Sequence, residues 1–197
     1  MKYHYQSPLP GIVRKASAPR KGQSLVEFAL IVPVFLALVF AVIGFGILLE
    51  NKISLNDAAR NGARFAAAQP WLYDGGSSPA SNSIEGVIQR SGSTITIPND
   101  DSHIQISFWV PPSTGGTLTE CGYYTNSLGT VSFTALGTYT MSTCIARDNV
   151  VKNAVTGSFH MPVPIISAFF PNGITIQTDA TAMVEQSCSS AASPNCS

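Results

Sequence analysis

Residues 21–49 are KGQSLVEFALIVPVFLALVFAVIGFGILL, and from Phe28 to Leu49 the chain runs 22 residues without an Asp, Glu, Lys or Arg. At ~1.5 Å per helical residue this run covers about 33 Å, against roughly 30 Å of bilayer hydrocarbon, so it is long enough to span. A cleavable signal peptide is the competing reading. Its apolar core would be about 7 to 15 residues with a small-residue site just behind it. Here the nearest such site, Ala66 to Ala68, lies well beyond Leu49. Pro33 removes one backbone hydrogen bond inside the span and marks a place for a kink, which membrane helices tolerate better than soluble ones.

The flanks give the span a direction. Residues 1–22, MKYHYQSPLPGIVRKASAPRKG, carry Lys2, Arg14, Lys15, Arg20 and Lys21 and no acid, so the formal net charge of zero conceals an acidic remainder. They mix Pro, Gly, Ser and basic residues without periodicity and read as a disordered cytoplasmic leader. After the span Lys52, Arg60 and Arg64 are diluted by Glu50 and Asp57. The positive-inside tendency therefore places the leader in the cytoplasm and the C-terminal part outside. With no basic cluster beyond the leader, nucleic acid is a poor partner. Charged residues are 11% of the chain, well under the roughly 25% of an average soluble protein.

Past Leu49 the helical pattern continues through ENKISLNDAARNGARFAAAQP, with apolar residues spaced among polar ones until Pro70. One long helix over 23–70 is expected, spanning at about 28–49 and amphipathic beyond. Asn82-Ser83-Ile84-Glu85 resembles a capping box, which predicts a short helix over roughly 82–91. Strand-like stretches follow at 93–98, 103–110, 130–136, around 155–165 and at 173–186. The expected fold is α+β: a long N-terminal transmembrane and amphipathic helix, then a small exported domain over 71–188, an antiparallel sheet packed on the amphipathic half of the helix. Residues 189–197 are a polar tail. All four cysteines, Cys121, Cys144, Cys188 and Cys196, follow the span, where an oxidising compartment permits disulfides. Three pairings are open, and Cys121 with Cys144 and Cys188 with Cys196 closes the shortest loops.

Enzymatic constellations are scarce. His4, His103 and His160 are far apart and no H-x-x-x-H spacing occurs, so no metal or other cofactor is expected. His103 and His160 read as surface or edge-strand residues. Asp100-Asp101 reads as a solvated turn before a strand. Trp71 and Tyr73 read as aromatics capping the core, with a partner patch as the alternative. Arg60 and Arg64 share a helix face; it is either solvated, with Asp57 pairing locally, or a contact with the sheet or a neighbouring subunit. Glu27 at the mouth of the span is either a headgroup-zone residue or a paired, functional one.

The order of residues here is similar to the class III signal of type IV pilins, closest to its Flp-type form: Gly22, then four residues, then Glu27 and the aromatic Phe28. The continuation resembles the N-terminal region of TadE-like proteins, including Pro33 within the span, Gly44 and Gly46 late in it, and AARNGARFAA (58–67) after it. GITIQTDATAMVEQ (173–186) resembles that family's closing strand, with Val184 where the family places a basic residue before Glu. The resemblance implies a non-enzymatic minor pilin or pseudopilin of a tight-adherence (Tad, Flp) pilus system. Its implied partners are a prepilin peptidase, other pilins and pseudopilins, inner-membrane assembly proteins and membrane lipid. It implies cleavage between Gly22 and Gln23 and an assembly contact through Glu27. The implied location is the bacterial cytoplasmic membrane, single-pass, with the cell surface or the pilus as further destinations. An uncleaved, signal-anchored extracytoplasmic binding module is the alternative.

Overall fold

The structure, a computed structural model, describes residues 22–92, 94–113, 115–127, 129–159 and 173–187. The apolar run forms the first part of α1, Gln23–Ala68, a helix of 46 residues that continues through Pro33. The chain divides into two compact units between Ala41 and Val42.

In the first unit α1 leaves its large apolar side chains in the open. Phe28, Leu30, Val34, Phe35 and Leu38 are each 61–71% exposed. Each forgoes about 1.5–3 kcal/mol of burial in water, which a hydrocarbon surround restores. Among the described residues α1 is the one helix long and apolar enough to cross a membrane. Only 6% of its most apolar window is buried, whereas the core helix of a soluble protein is mostly buried.

The second unit holds the rest of α1, α2 (Ile84–Ser91), α3 (Met141–Cys144) and five strands: β1 (Ile104–Val110), β2 (Thr119–Ser127), β3 (Thr130–Ala135), β4 (Val150–Phe159) and β5 (Ile174–Met183). The strands form one antiparallel sheet in the order β3-β2-β1-β4-β5. Alternation sets its faces: Ile104, Ile106 and Phe108 of β1 and Val151, Asn153 and Val155 of β4 are wholly buried, while Gln105 is exposed and Ser107 and Lys152 are partly so. Leu55, Ala58, Ala59, Ala66 and Ala67 of α1 and Ile84 and Ile88 of α2 join the same core.

Small residues let α1 lie close on the sheet. A Cβ at Gly62 would run into the Asn153 side-chain amide of β4 and the Ile88 side chain of α2. Asn153 Nδ2 donates to the Ala59 carbonyl at 3.1 Å. Midway along β5 Thr178 Oγ1 donates to Asn56 Oδ1 at 2.6 Å, and just beyond the strand the Glu185 N–H donates to the Ala67 carbonyl at 2.8 Å. Val184, at the position where a basic residue would have matched the resemblance, is 1% exposed. The helix stops at Ala68, two residues before Pro70.

Several local expectations need correction. Over its described residues 94–98, STITIP is no strand: Ile95 and Ile97 are buried like alternate strand residues, but Ile97 C=O accepts from the Gln89 side chain. β2 and α3 went unanticipated. β4 begins at Val150 rather than near 155, and the expected continuation at 160–165 lies outside the described residues, as do residues 1–21 of the leader, His160, Cys188 and Cys196. The α2 N-cap is Ser83, whose Oγ accepts from Gly86 N–H at 3.1 Å, so Glu85 sits one place too early to close a capping box and turns inward.

Cys121 of β2 and Cys144 of α3 are joined by a disulfide, with Cα atoms 5.6 Å apart and a sequence separation of 23. Closing a loop of that length stabilises the fold by about 3 kcal/mol on the chain-entropy account. It ties α3 to the sheet and suits an oxidising compartment.

Candidate processing and assembly segment

Gly22 forms the turn that opens α1, and its carbonyl accepts the Val26 N–H at 3.2 Å. It is exposed, and a Cβ there would meet nothing within 4 Å. Glu27 and Phe28 follow on the second turn, both exposed, Phe28 at 68%. The Gly22–Gln23 bond, the Glu27 carboxylate and the apolar surface thus lie within about 10 Å along one helix, at ~1.5 Å per residue. This segment presents a peptide bond without side-chain obstruction on its N-terminal side, followed at once by a single acid on an apolar rod.

Arg60 and Arg64 are exposed, while the buried side of the same turns is Ala58, Ala59, Ala63, Ala66 and Ala67. Among the described residues neither arginine forms an ion pair with Asp57. Trp71 and Tyr73 are half-buried and pack on the core, Tyr73 stacking on Tyr124 with ring centroids 4.8 Å apart. The Tyr124 hydroxyl donates to the Pro70 carbonyl at 2.8 Å, which fixes the chain as it leaves α1.

Beside these rings lies a buried acid that linear patterning did not identify. Glu85 is wholly buried; Oε2 accepts the Asp74 N–H at 2.9 Å, and Oε1 has no hydrogen-bond partner. Burial pushes its carboxyl from 4.5 up to about 7, against the opposing effect of the Asp74 N–H. Burial also raises the Tyr73 and Tyr124 hydroxyls, with the Glu85 charge adding to both. Asp74 is held below its ordinary value by the Ala80 and Gly76 N–H groups.

The sign of the resulting pH dependence follows directly. Between pH 4.5 and about 7 the folded state keeps a proton that the unfolded state has lost. This contribution to stability is fully present below pH 4.5 and is lost as pH rises through about 7, a change of about 3 kcal/mol. Asp74 and Asp100, both lowered, titrate beneath that window. The urea midpoint of the full chain in detergent is therefore expected to fall from about pH 5 to about pH 8, and Glu85→Gln to flatten the slope. A wild-type midpoint that stays level across that range contradicts this account of Glu85.

Ser102, His103 and Asp100 meet before β1, and their composition invites comparison with a hydrolytic triad. The geometry opposes it. Ser102 Oγ lies 2.9 Å and Asp100 Oδ1 2.7 Å from the same ring nitrogen, His103 Nδ1. A triad needs the serine on Nε2 and the carboxylate on Nδ1. Asp100 Oδ1 also accepts the Ser102 and His103 N–H groups, so the cluster locks a turn. Burial works to raise the Asp100 carboxyl, and the Ser102 and His103 hydrogen bonds outweigh it and leave it lowered. Among the described residues no three His, Cys, Asp or Glu side chains are grouped to hold a metal.

The sheet face away from α1 carries a groove of about 460 Å³, lined in part by Gln105, Ser107, Trp109, Tyr123, Lys152 and Gln177. Trp109 Nε1 donates to Ser107 Oγ at 2.8 Å, and Lys152 pairs with Asp179 at 3.4 Å.

Residues 22–64 match the family model described as TadE-like protein. The match begins at Gly22, takes in Glu27 and the apolar run, and ends at Arg64, on the exposed side of the turns whose alanines pack on the sheet. No curated protein and no solved structure matches the chain.

Proposed function

We propose that this chain, TadE-like over residues 22–64, is a pilin-like, non-enzymatic component of a Tad (Flp) pilus assembly system, cut by a prepilin peptidase between Gly22 and Gln23. The observation that carries this reading is the family match beginning at an exposed Gly22 and running through Glu27 into a helix whose apolar side chains are open to their surroundings. The partners on this reading are the peptidase, neighbouring pilins or pseudopilins, and the inner-membrane assembly proteins. The leader is cytoplasmic and the sheet domain extracytoplasmic, as the basic flank favours.

Cleavage gives Glu27 its role. It deletes all five leader charges and creates an α-amine at Gln23, with an ordinary pKa of about 7.7–8.0 and hence largely protonated near neutrality. A carboxylate and an ammonium brought together at the edge of packed apolar helices favour pairing, because either one desolvated alone is penalised by several kcal/mol. Glu27 thus registers this subunit against an adjacent helix whose new N-terminus supplies the amine. Glu27→Gln is expected to be cleaved normally yet to be lost from assemblies; wild-type incorporation and pilus yield would remove this role.

The decisive experiment is N-terminal sequencing of the full chain coexpressed with a prepilin peptidase. A start at Gln23 supports the proposal. An intact Met1 supports instead an uncleaved, signal-anchored binding module, the reading favoured by the aromatic and amide-lined groove on the open sheet face.

A further inference from the structure

We propose that the Phe159/Ile174 corner of the sheet rests on the lipid headgroups, giving the protein a second, non-spanning contact with the bilayer. The inference rests on Phe28–Leu49 being a membrane span, and its first element is the direction in which β4 and β5 run along α1.

Two points on each strand fix that direction. On β4, Asn153 bonds Ala59, and a Cβ at Gly157 would touch Leu55. Along β5 and just beyond it, Thr178 bonds Asn56 and Glu185 bonds Ala67. Moving toward the Phe159/Ile174 end therefore means moving down α1 toward its apolar run. The rate is about one helical residue per strand residue on β4 and about one and a half on β5. Continued at those rates, Phe159 falls level with about residue 53 and Ile174 with about residue 50. Both lie within about one helical turn, ~5 Å, of Leu49, where the uncharged run ends. The headgroup zone extends roughly 5–7 Å beyond the hydrocarbon on each side, so this corner falls inside it.

Chemistry agrees with that position. Phe159 and Ile174 are themselves apolar, and on α1 at this level Leu49 and Ile53 are 45% and 62% exposed. The sequence joining the two strands, HMPVPIISAFFPN (160–172), contains no Asp, Glu, Lys or Arg. The opposite end of the same strands is flanked by exposed Arg147, Asp148 and Glu185. The acidic Asp100-Asp101 turn stands at the Phe159 end of β1, but it is tied higher up. Asp101 accepts the Asn126 N–H, and the Asn99 amide donates to the Asp74 and Gly76 carbonyls at 2.8 and 2.7 Å, in the loop that follows Pro70. The sheet thus crosses α1 diagonally, and the β4–β5 corner is the part that comes down to the span. An anchored domain with such a corner takes apolar surface out of water, and it loses rotational freedom about the helix.

The test uses the full chain in vesicles of a zwitterionic phospholipid brominated near the top of its acyl chains. A quenchable fluorophore is placed at one cysteine in a Cys188→Ser, Cys196→Ser background that retains the Cys121–Cys144 disulfide. Three sites are compared: Ser158→Cys at the corner, Leu38→Cys within the span and Met183→Cys at the far end of β5, all exposed positions that accept a label without disturbing the core. Expected is strong quenching at Leu38, clear quenching with a blue-shifted emission at Ser158, and none at Met183. A Ser158 label as unquenched as Met183, with Leu38 quenched, overturns the corner contact and leaves the span standing. An unquenched Leu38 overturns the span and the contact with it. Equal quenching at Ser158 and Met183 also overturns the proposal, since the whole sheet would then lie on lipid.

Discussion

Gly22→Leu is expected to fold like the wild type and to keep its leader in the presence of the peptidase. A leucine at this exposed position has open space, since even a Cβ meets nothing within 4 Å, and the backbone is not in the left-handed region that would resist a side chain. Fold stability should therefore be unchanged within about 0.5 kcal/mol, as for most surface substitutions. The peptidase meets a different situation. On the proposed cleavage it must bring catalytic groups to the Gly22 carbonyl, which the structure shows engaged by the Val26 N–H at the start of α1. A branched side chain on the same residue displaces that approach, and misplacement by about 1 Å lowers a rate about 100-fold. The expected outcome is loss of the Gln23 N-terminus by at least about that factor in peptide sequencing. A mutant cut as fast as wild type would mean that the glycine serves neither the fold nor the cleavage.

Gly62→Leu should do the opposite: cleavage at Gly22 persists while the sheet domain loses its packing. Leucine is the better helix former by nearly 1 kcal/mol, so propensity alone predicts a gain. Contact decides otherwise. The new Cβ overlaps both the Asn153 amide and Ile88, which are 0% exposed and belong to different elements, so β4 and α2 must both retreat from α1. Overpacking of this kind costs about 1–3 kcal/mol, and losing the Asn153 bond to Ala59 strands a buried amide for about 1–3 more. The net expectation is about 1–5 kcal/mol of destabilisation, a substantial part of the roughly 5–15 kcal/mol that holds a typical domain. Near-UV circular dichroism, which reads the packed Tyr73, Phe108, Tyr124 and Phe133 rings, should show a lowered urea midpoint or no transition. A midpoint equal to wild type would mean that α1 does not approach β4 as closely as described. Together the two glycine variants separate processing from folding.

What was legible in the chain was what is written locally. The apolar run of α1 announces itself by the absence of charge over a bilayer's length, and the Gly22–Phe28 segment by the order of adjacent residues; neither depends on what the rest of the chain does. β1, β3 and β5 were also readable, because one face of each alternates with the other as a half-buried strand must. β2 was not, since TECGYYTNS buries Cys121 and Gly122 in succession opposite a register shift in β1, which breaks the period. β4 was read only from Val155 onward, because Asn153 occupies a core position and looks polar in the sequence. STITIP failed in the reverse sense: its two isoleucines face the core, but a strand also needs a partner, and among the described residues none lies beside it.

By itself, then, the sequence determined the long apolar helix, the polarity of its flanks and the order of residues from Gly22 to Phe28, all properties of neighbours along the chain. Only the tertiary structure decided that Gly62 is a contact rather than a weak helix residue, that Glu85 is buried against Asp74 rather than capping a helix, and that Asn153 belongs to the core. Each of these depends on a partner brought from a distant part of the chain or from another element, and the free energy of a close approach or a buried charge is set by that partner. Periodicity and spacing carry no record of it.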